Sequence, residues 1–205
     1  MKSKNARDMR SSVLTGFLIA LLLAALPVAV WLDLTNLAEV ALRRQATDLN
    51  SVVSSVRSYY ASNVVGRILA HPGATQVIHN YENVPGAIPI PATLSLELGK
   101  VISEQQQNIN YRFVSDFPFK NRTSHPLDDF EKASLQSLRG NPDQKPVDVA
   151  RSMFSDQVRL IAPVVMGPAC VSCHNAHPES PKRDWKVGDV RGIQEVSITQ
   201  PIAAN

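Results

Sequence analysis

Twenty consecutive residues, Val13 to Leu32 (VLTGFLIALLLAALPVAVWL), carry no charge. A helix of roughly 20 apolar residues matches the ~30 Å hydrocarbon layer of a bilayer. A secretory signal has a shorter apolar core, of about 7 to 15 residues, and a small-x-small cleavage site after it. Here the run is longer, and its exit, Ala29-Val30-Trp31-Leu32-Asp33, offers no clean site. Trp31 also fits an aromatic residue at headgroup level. The expected layout is a cytoplasmic N-terminus over 1–12, an uncleaved transmembrane anchor over 13–32 and an exported domain over 33–205. A cleaved signal would export the same body. The cationic residues before the run stay cytoplasmic, so in a bacterial cell the anchor lies in the inner membrane and the domain in the periplasm.

The chain has 21 Lys+Arg and 18 Asp+Glu. Lys2, Lys4, Arg7 and Arg10 precede the run with only Asp8 against them, which leaves 17 of each sign from Asp33 onward. A neutral body without a basic stripe excludes nucleic acid as a partner, because phosphates must be met by Lys and Arg. A hydrophobic content of 44% supplies one core and excludes global disorder.

Leu49, Val52, Val53, Val56, Tyr60, Val64 and Ile68 recur at spacings of three and four, which predicts a long amphipathic helix over 36–69. It should stop near His71-Pro72-Gly73. After a Pro-rich loop, Leu94, Leu98, Val101 and Ile102 predict a second helix over 92–107. Tyr111, Phe113, Phe117 and Phe119 change to alternation, the mark of a strand with one buried face. Pro126, Asp128, Asp129 and Glu131, with Gly140 and Pro142 beyond, delimit a third helix over 126–139. Residues 141–148 are expected as loop, and Gln157 to Met166 and Asp189 to Gln200 as strands. The fold class is α+β, an antiparallel sheet with packed helices.

Both cysteines fall in one motif, Cys170-Val171-Ser172-Cys173-His174. C-x-x-C-H is the attachment signature of c-type haem. Two thiols at this spacing can add to the two vinyl groups of one porphyrin, and the adjacent imidazole can ligate the iron axially. Three other chemistries use such residues. A disulfide is permitted outside the cytoplasm, but closing so short a loop removes little chain entropy. A thioredoxin-like pair requires a βαβ setting. Zinc could take Cys170, Cys173, His174 and His177, although Cys173 and His174 are awkward as adjacent ligands of one ion.

The distal iron position stays open. No third cysteine can supply a thiolate, so the candidates are His71, His79, Met153 and Met166, or an open site. His177 reads as an exposed polar residue beside Pro178. Tyr59, Tyr60, Tyr111, Phe113, Phe117 and Phe119 serve a haem pocket or an ordinary core equally well. Arg57 and Arg67 read as residues of a solvated helix face, with propionate pairing as the alternative.

The chain resembles the periplasmic c-type haem-binding, PAS-like sensor domains, a former domain of unknown function found N-terminal to bacterial adenylate/guanylate cyclases, histidine kinases and chemoreceptors. The resemblance covers about 45 to 200. It rests on Val56-Arg57-Ser58-Tyr59-Tyr60, Ile88-Pro89-Ile90-Pro91-Ala92-Thr93, Tyr111-Arg112-Phe113 with Phe117-Pro118-Phe119, Asp129-Phe130-Glu131 and the block from Cys170 to Val196. It implies a PAS-like fold, covalent haem c on Cys170 and Cys173, and His174 as the axial iron ligand. It also implies that redox state or a gas (O2, NO or CO) acts on the helix entering the membrane. Such sensors are usually followed by a second span and an output domain, whereas this sequence stops at Asn205. It is expected to be either the input part of a receptor such as a nucleotide cyclase or a stand-alone anchored haemoprotein. No catalytic machinery is visible. A tethered monohaem electron-transfer cytochrome and a haem-free PAS-like module are the alternatives. The long helix predicts a homodimer.

Overall fold

A computed structural model of the chain describes residues 2–71, 73–120, 126–151 and 155–201, with the side chains of 2–12, 151, 155 and 201 left out. The elements are α1 (Lys2–Tyr59), a π-helical turn (Tyr60–Val65), α2 (Gly66–Ala70), β1 (Val77–Ile78), a 3-10 turn (Tyr81–Asn83), β2 (Ile88–Pro89), α3 (Pro91–Gln105), β3 (Ile109–Val114), α4 (Asp129–Gly140), β4 (Val147–Arg151), β5 (Ser155–Val165), α5 (Pro168–Ala176) and β6 (Val190–Pro201). The chain divides into two compact units, residues 1–41 and 42–205.

The first unit is helix alone. Leu14, Phe17, Leu22, Leu26 and Trp31 each lie more than half exposed, a run of apolar area open to the surroundings. The helix is long and apolar enough to cross a membrane. Pro27 lies inside it, which a membrane helix tolerates because neighbouring groups re-satisfy the freed carbonyl.

The second unit is an antiparallel sheet, ordered β3-β6-β5-β4, with helices on both faces. On one face, Leu42, Ala46 and Val53 of α1 pack on Ile109, Tyr111, Val158, Leu160, Val196 and Ile198, with Leu98 and Ile102 of α3 alongside. Gly99 is where α3 comes closest. A Cβ there would sit 2.1 Å from the Tyr111 ring, so only glycine leaves room for the ring against the helix. On the other face, Leu135 and Leu138 of α4 pack on Val114, Ile161, Val190 and Ile193.

The predicted apolar stripe of α1 is split by the fold. Val53 is buried, but Val52 and Val56 are exposed, and the core face instead runs through Leu42, Ala46, Leu49 and Val53. The helical run ends at Ala70, where His71 leaves the helical region and its amide donates to the Arg67 and Ile68 carbonyls, as expected. Pro72 lies outside the described residues.

Three expectations are corrected. The aromatic strand stops at Val114, short of Phe117 and Phe119. There Ser115 Oγ donates to the Arg191 carbonyl (2.7 Å) and accepts from the Phe117 amide (3.1 Å), so side-chain bonds replace the ladder and turn the chain out. The third helix starts at Asp129 rather than Pro126, because Asp128 is its N-cap. Asp128 Oδ1 accepts from the Glu131 amide and Glu131 Oε2 from the Asp128 amide, both at 2.8 Å. Residues 147 and 148 belong to an edge strand, β4, rather than a loop. The strands expected over 157–166 and 189–200 are β5 and β6, each within two residues at both ends.

Candidate functional site

The CxxCH motif is carried on a helix, α5, between the two long strands. Gly167, in extended conformation, is the N-cap of α5, and Pro168 occupies the first turn, where its missing N–H costs nothing. The helix closes with the His177 amide on the Cys173 carbonyl (2.9 Å), and Pro178 follows. On a helix, positions i, i+3 and i+4 share a face. Cys170, Cys173 and His174 therefore stand together, with Cys170 half-buried, Cys173 exposed and both thiols free.

The excursion between β5 and β6 is pinned at its base. The Met166 amide donates to the Asp189 carbonyl and the Gly188 amide to the Met166 carbonyl, both at 2.9 Å. Asn175 then clamps the returning loop. Its Nδ2 donates to the Trp185 carbonyl (2.9 Å) and its Oδ1 accepts from the Trp185 amide (3.0 Å). Trp185 is buried and meets Phe117 edge-on at 5.6 Å.

His174 sits in a socket of rings and one cation. Phe119 lies 4.9 Å from its ring and 5.0 Å from that of His177. Arg191 Nε donates to His174 Nδ1 at 3.4 Å. The same guanidinium donates to Ser115 Oγ and the Phe117 carbonyl, and lies 5.4 Å from the Trp185 ring. Burial, helped by Arg191 and His177, pushes the imidazole down to about 4, so the ring is neutral at physiological pH. Burial also lowers Arg191, to about 10, which leaves it a cation at neutral pH.

A second polar cluster lies on the α1 face. Gln194 is fully buried, three residues along β6 from Arg191. Its Nε2 donates to the Asn50 carbonyl (3.1 Å), Asn50 Oδ1 and Ser54 Oγ (2.6 Å). Its Oε1 accepts from Arg57 Nη1 (2.5 Å) and Tyr111 OH (3.4 Å). Arg57 also lies over Phe113, 5.6 Å away. Burial lowers the Arg57 guanidinium against the opposing pull of Tyr111 and the nearby Cys170 thiol, and burial pushes the Tyr111 phenol up to about 12.

Of the candidates for the distal position, His71 caps α2 and is exposed, and His79 lies in the turn after β1. Neither is among the described contacts of His174. Met166 is buried at the base of the excursion, and Met153 lies outside the described residues. His177 is half-buried against Phe119, with Nδ1 accepting from the Glu179 amide (3.1 Å), rather than an exposed polar residue. Arg57 is likewise not on a solvated face, whereas Arg67 is exposed. Phe119 reaches the motif and Phe117 meets Trp185, Phe113 and Tyr111 reach Arg57, and Tyr59 is exposed while Tyr60 bonds the Pro89 carbonyl (2.7 Å).

Among the described residues no three His, Cys, Asp or Glu side chains cluster to hold a metal ion, so the four-ligand zinc arrangement does not form. The strands flanking α5 are antiparallel neighbours, which is not the βαβ setting of a thioredoxin-like pair. The donor set does suit haem c: two free thiols and a neutral imidazole on one helical face. Arg191 and Gln194 were missed from sequence. Each bonds side chains from other elements of the fold, and nothing local marks it.

Fold and site define an α+β domain on a long apolar helix, with a thiol- and imidazole-bearing helix inserted between two antiparallel strands. Residues 35–199 match the Tll0287-like family, described as Tll0287, and the chain belongs to that family. No curated protein matches the sequence. Among solved structures, the crystal structure of the cyanobacterial heme-protein Tll0287 aligns with a TM-score of 0.50 at 15% identity, over 80% of this chain and 97% of that one. At that identity the likeness speaks for the fold.

Proposed function

We propose that the chain is a membrane-anchored, periplasmic haem c sensor domain. Cys170 and Cys173 would carry the porphyrin as thioethers and His174 would ligate the iron. The observation that carries this reading is the single face of α5 that presents both free thiols beside an imidazole held neutral. The family's name-giving heme-protein, with the same fold, supports it. When bound, such a group supplies one-electron redox chemistry and a site for diatomic gases. This chain's own part is to orient the imidazole, through Arg191 and Phe119, and to connect that site to α1. The connection is β6, where Arg191 touches His174 and Gln194 is bonded to Asn50, Ser54 and Arg57 of α1.

A sensor needs two states that differ in free energy, and the helix must feel the difference. The PAS-like identity, an attached cyclase or kinase output and a homodimer along α1 belong to the same reading. For the dimer, Val52, Val56 and Tyr59 stand exposed at helical spacing. The electron-transfer reading has one observation in its favour: Cys173 is exposed, which places an attachment point at the surface. Titrating the reduced, haem-loaded protein with CO separates the two. A shifted Soret band at micromolar CO supports sensing, and an unchanged band supports transfer.

A further inference from the structure

Arg191 is 8% exposed and forms no ion pair among the described residues. A guanidinium has donors only. The His174 nitrogen facing it, Nδ1, must therefore offer its lone pair, which puts the proton of the neutral ring on Nε2. Arg191 is not free to turn away, because Ser115 Oγ and the Phe117 carbonyl accept its two other nitrogens and the Trp185 and Phe119 rings flank it at 5.4 and 6.0 Å.

Histidines that ligate a metal ordinarily donate their second ring N–H to an acceptor, which raises the basicity of the ligating nitrogen. Here the polarity is reversed. If Nε2 ligates, the proton it gives up returns to the ring at Nδ1, where it meets another N–H rather than an acceptor.

We propose that Arg191 is a positioning residue that makes His174 a weak axial donor: it fixes the ring plane while opposing the tautomer that ligation through Nε2 requires. This rests on the haem reading of the motif. A weakened ligand and a nearby cation both disfavour the ferric state, so both act on the midpoint potential in the same direction, upward. Arg191→Gln supplies an acceptor for Nδ1–H and removes the charge, whereas Arg191→Lys keeps a charged donor.

The test is potentiometric titration of the full chain, exported in a host with cytochrome c maturation. The expected result is a lower potential in Arg191→Gln and one near that of the unsubstituted chain in Arg191→Lys. An unchanged or higher potential in Arg191→Gln, or an equal drop in Arg191→Lys, overturns the proposal. If the variants fail to fold, nitrogen-15 NMR of the unsubstituted, unloaded chain decides. A ring proton on Nε2 of His174 supports the assignment and one on Nδ1 overturns it. A chain that takes up no haem defeats the haem reading, yet leaves this second measurement to judge the Arg191 contact.

Discussion

On the α4 side of the sheet, Arg159 donates Nε and Nη2 to the two carboxylate oxygens of Glu195 (2.9 Å each) and Nη2 also to Asp128 (2.6 Å). Beside the CxxCH helix, the described hydrogen bonds of Arg191 and Arg57 go to neutral acceptors, and both guanidiniums lie over aromatic faces, with the Asp116 carboxylate acting on Arg191 only from a distance. Both regions bury cations, but among the described residues only the first bonds them directly to carboxylates. Arg112 and Glu131 extend that matching, at 3.4 Å across β3 and α4. Buried charge is expensive unless paired, so the first region reads as framework. In the second, the unmatched cations stand where function is proposed. Natural sequences break a local rule of this kind mostly at working sites.

The largest effect should come from breaking the matched region. Arg159→Met strands the buried Glu195 carboxylate and should cost about 3 to 5 kcal/mol, measured by urea unfolding of the detergent-solubilised chain. Arg191→Met leaves no buried carboxylate behind and should cost less. The reverse order would break the comparison. Gln194→Leu removes the amide that ties β6 to α1 and leaves Arg57 and Asn50 without their partner. A loss of about 1 to 3 kcal/mol is expected in the same assay.

A smaller and pH-dependent effect sharpens the contrast. Burial pushes the Asp128 carboxyl up, but the Glu131 amide and the Arg159 guanidinium outweigh it and hold the group below the ordinary carboxylate range. A folded-state value below the unfolded one stabilises at pH above the ordinary range, and that contribution is lost as pH falls through the folded value. Asp128→Asn keeps the cap acceptor and removes the charge, so acid titrations followed by circular dichroism should show a flatter loss of stability at low pH. Smallest of all, Lys100→Ala breaks an exposed pair with Glu104 and should change stability by less than ~0.5 kcal/mol.

What was legible in the sequence is what local chemistry dictates. The uncharged run from Val13 needed only its length. The stop at His71 followed from the next two residues, and the ends of β5 and β6 from runs of β-branched side chains. Pro126 misplaced the start of α4 because the capping pair Asp128 and Glu131, both noticed, outranks a proline two residues earlier. The alternation of Tyr111 to Phe119 was a wrong period beyond Val114, since the switch depends on Ser115 meeting Arg191 across the fold. Cys170, Cys173 and His174 were visible as a motif, but their helix was not, because five of its nine residues are the motif itself and its apolar signal is weak. The socket around His174 could not be read from sequence at all, being assembled from three segments of the chain.

The central claim is covalent haem on the α5 face, and one measurement meets it directly: a pyridine haemochrome spectrum after acid-acetone extraction of chain exported in a cytochrome c-maturing host. The account predicts a c-type spectrum that stays with the protein and vanishes in the Cys170→Ser/Cys173→Ser double variant. Haem that extracts into the solvent, or none at all in the unsubstituted chain, would contradict it.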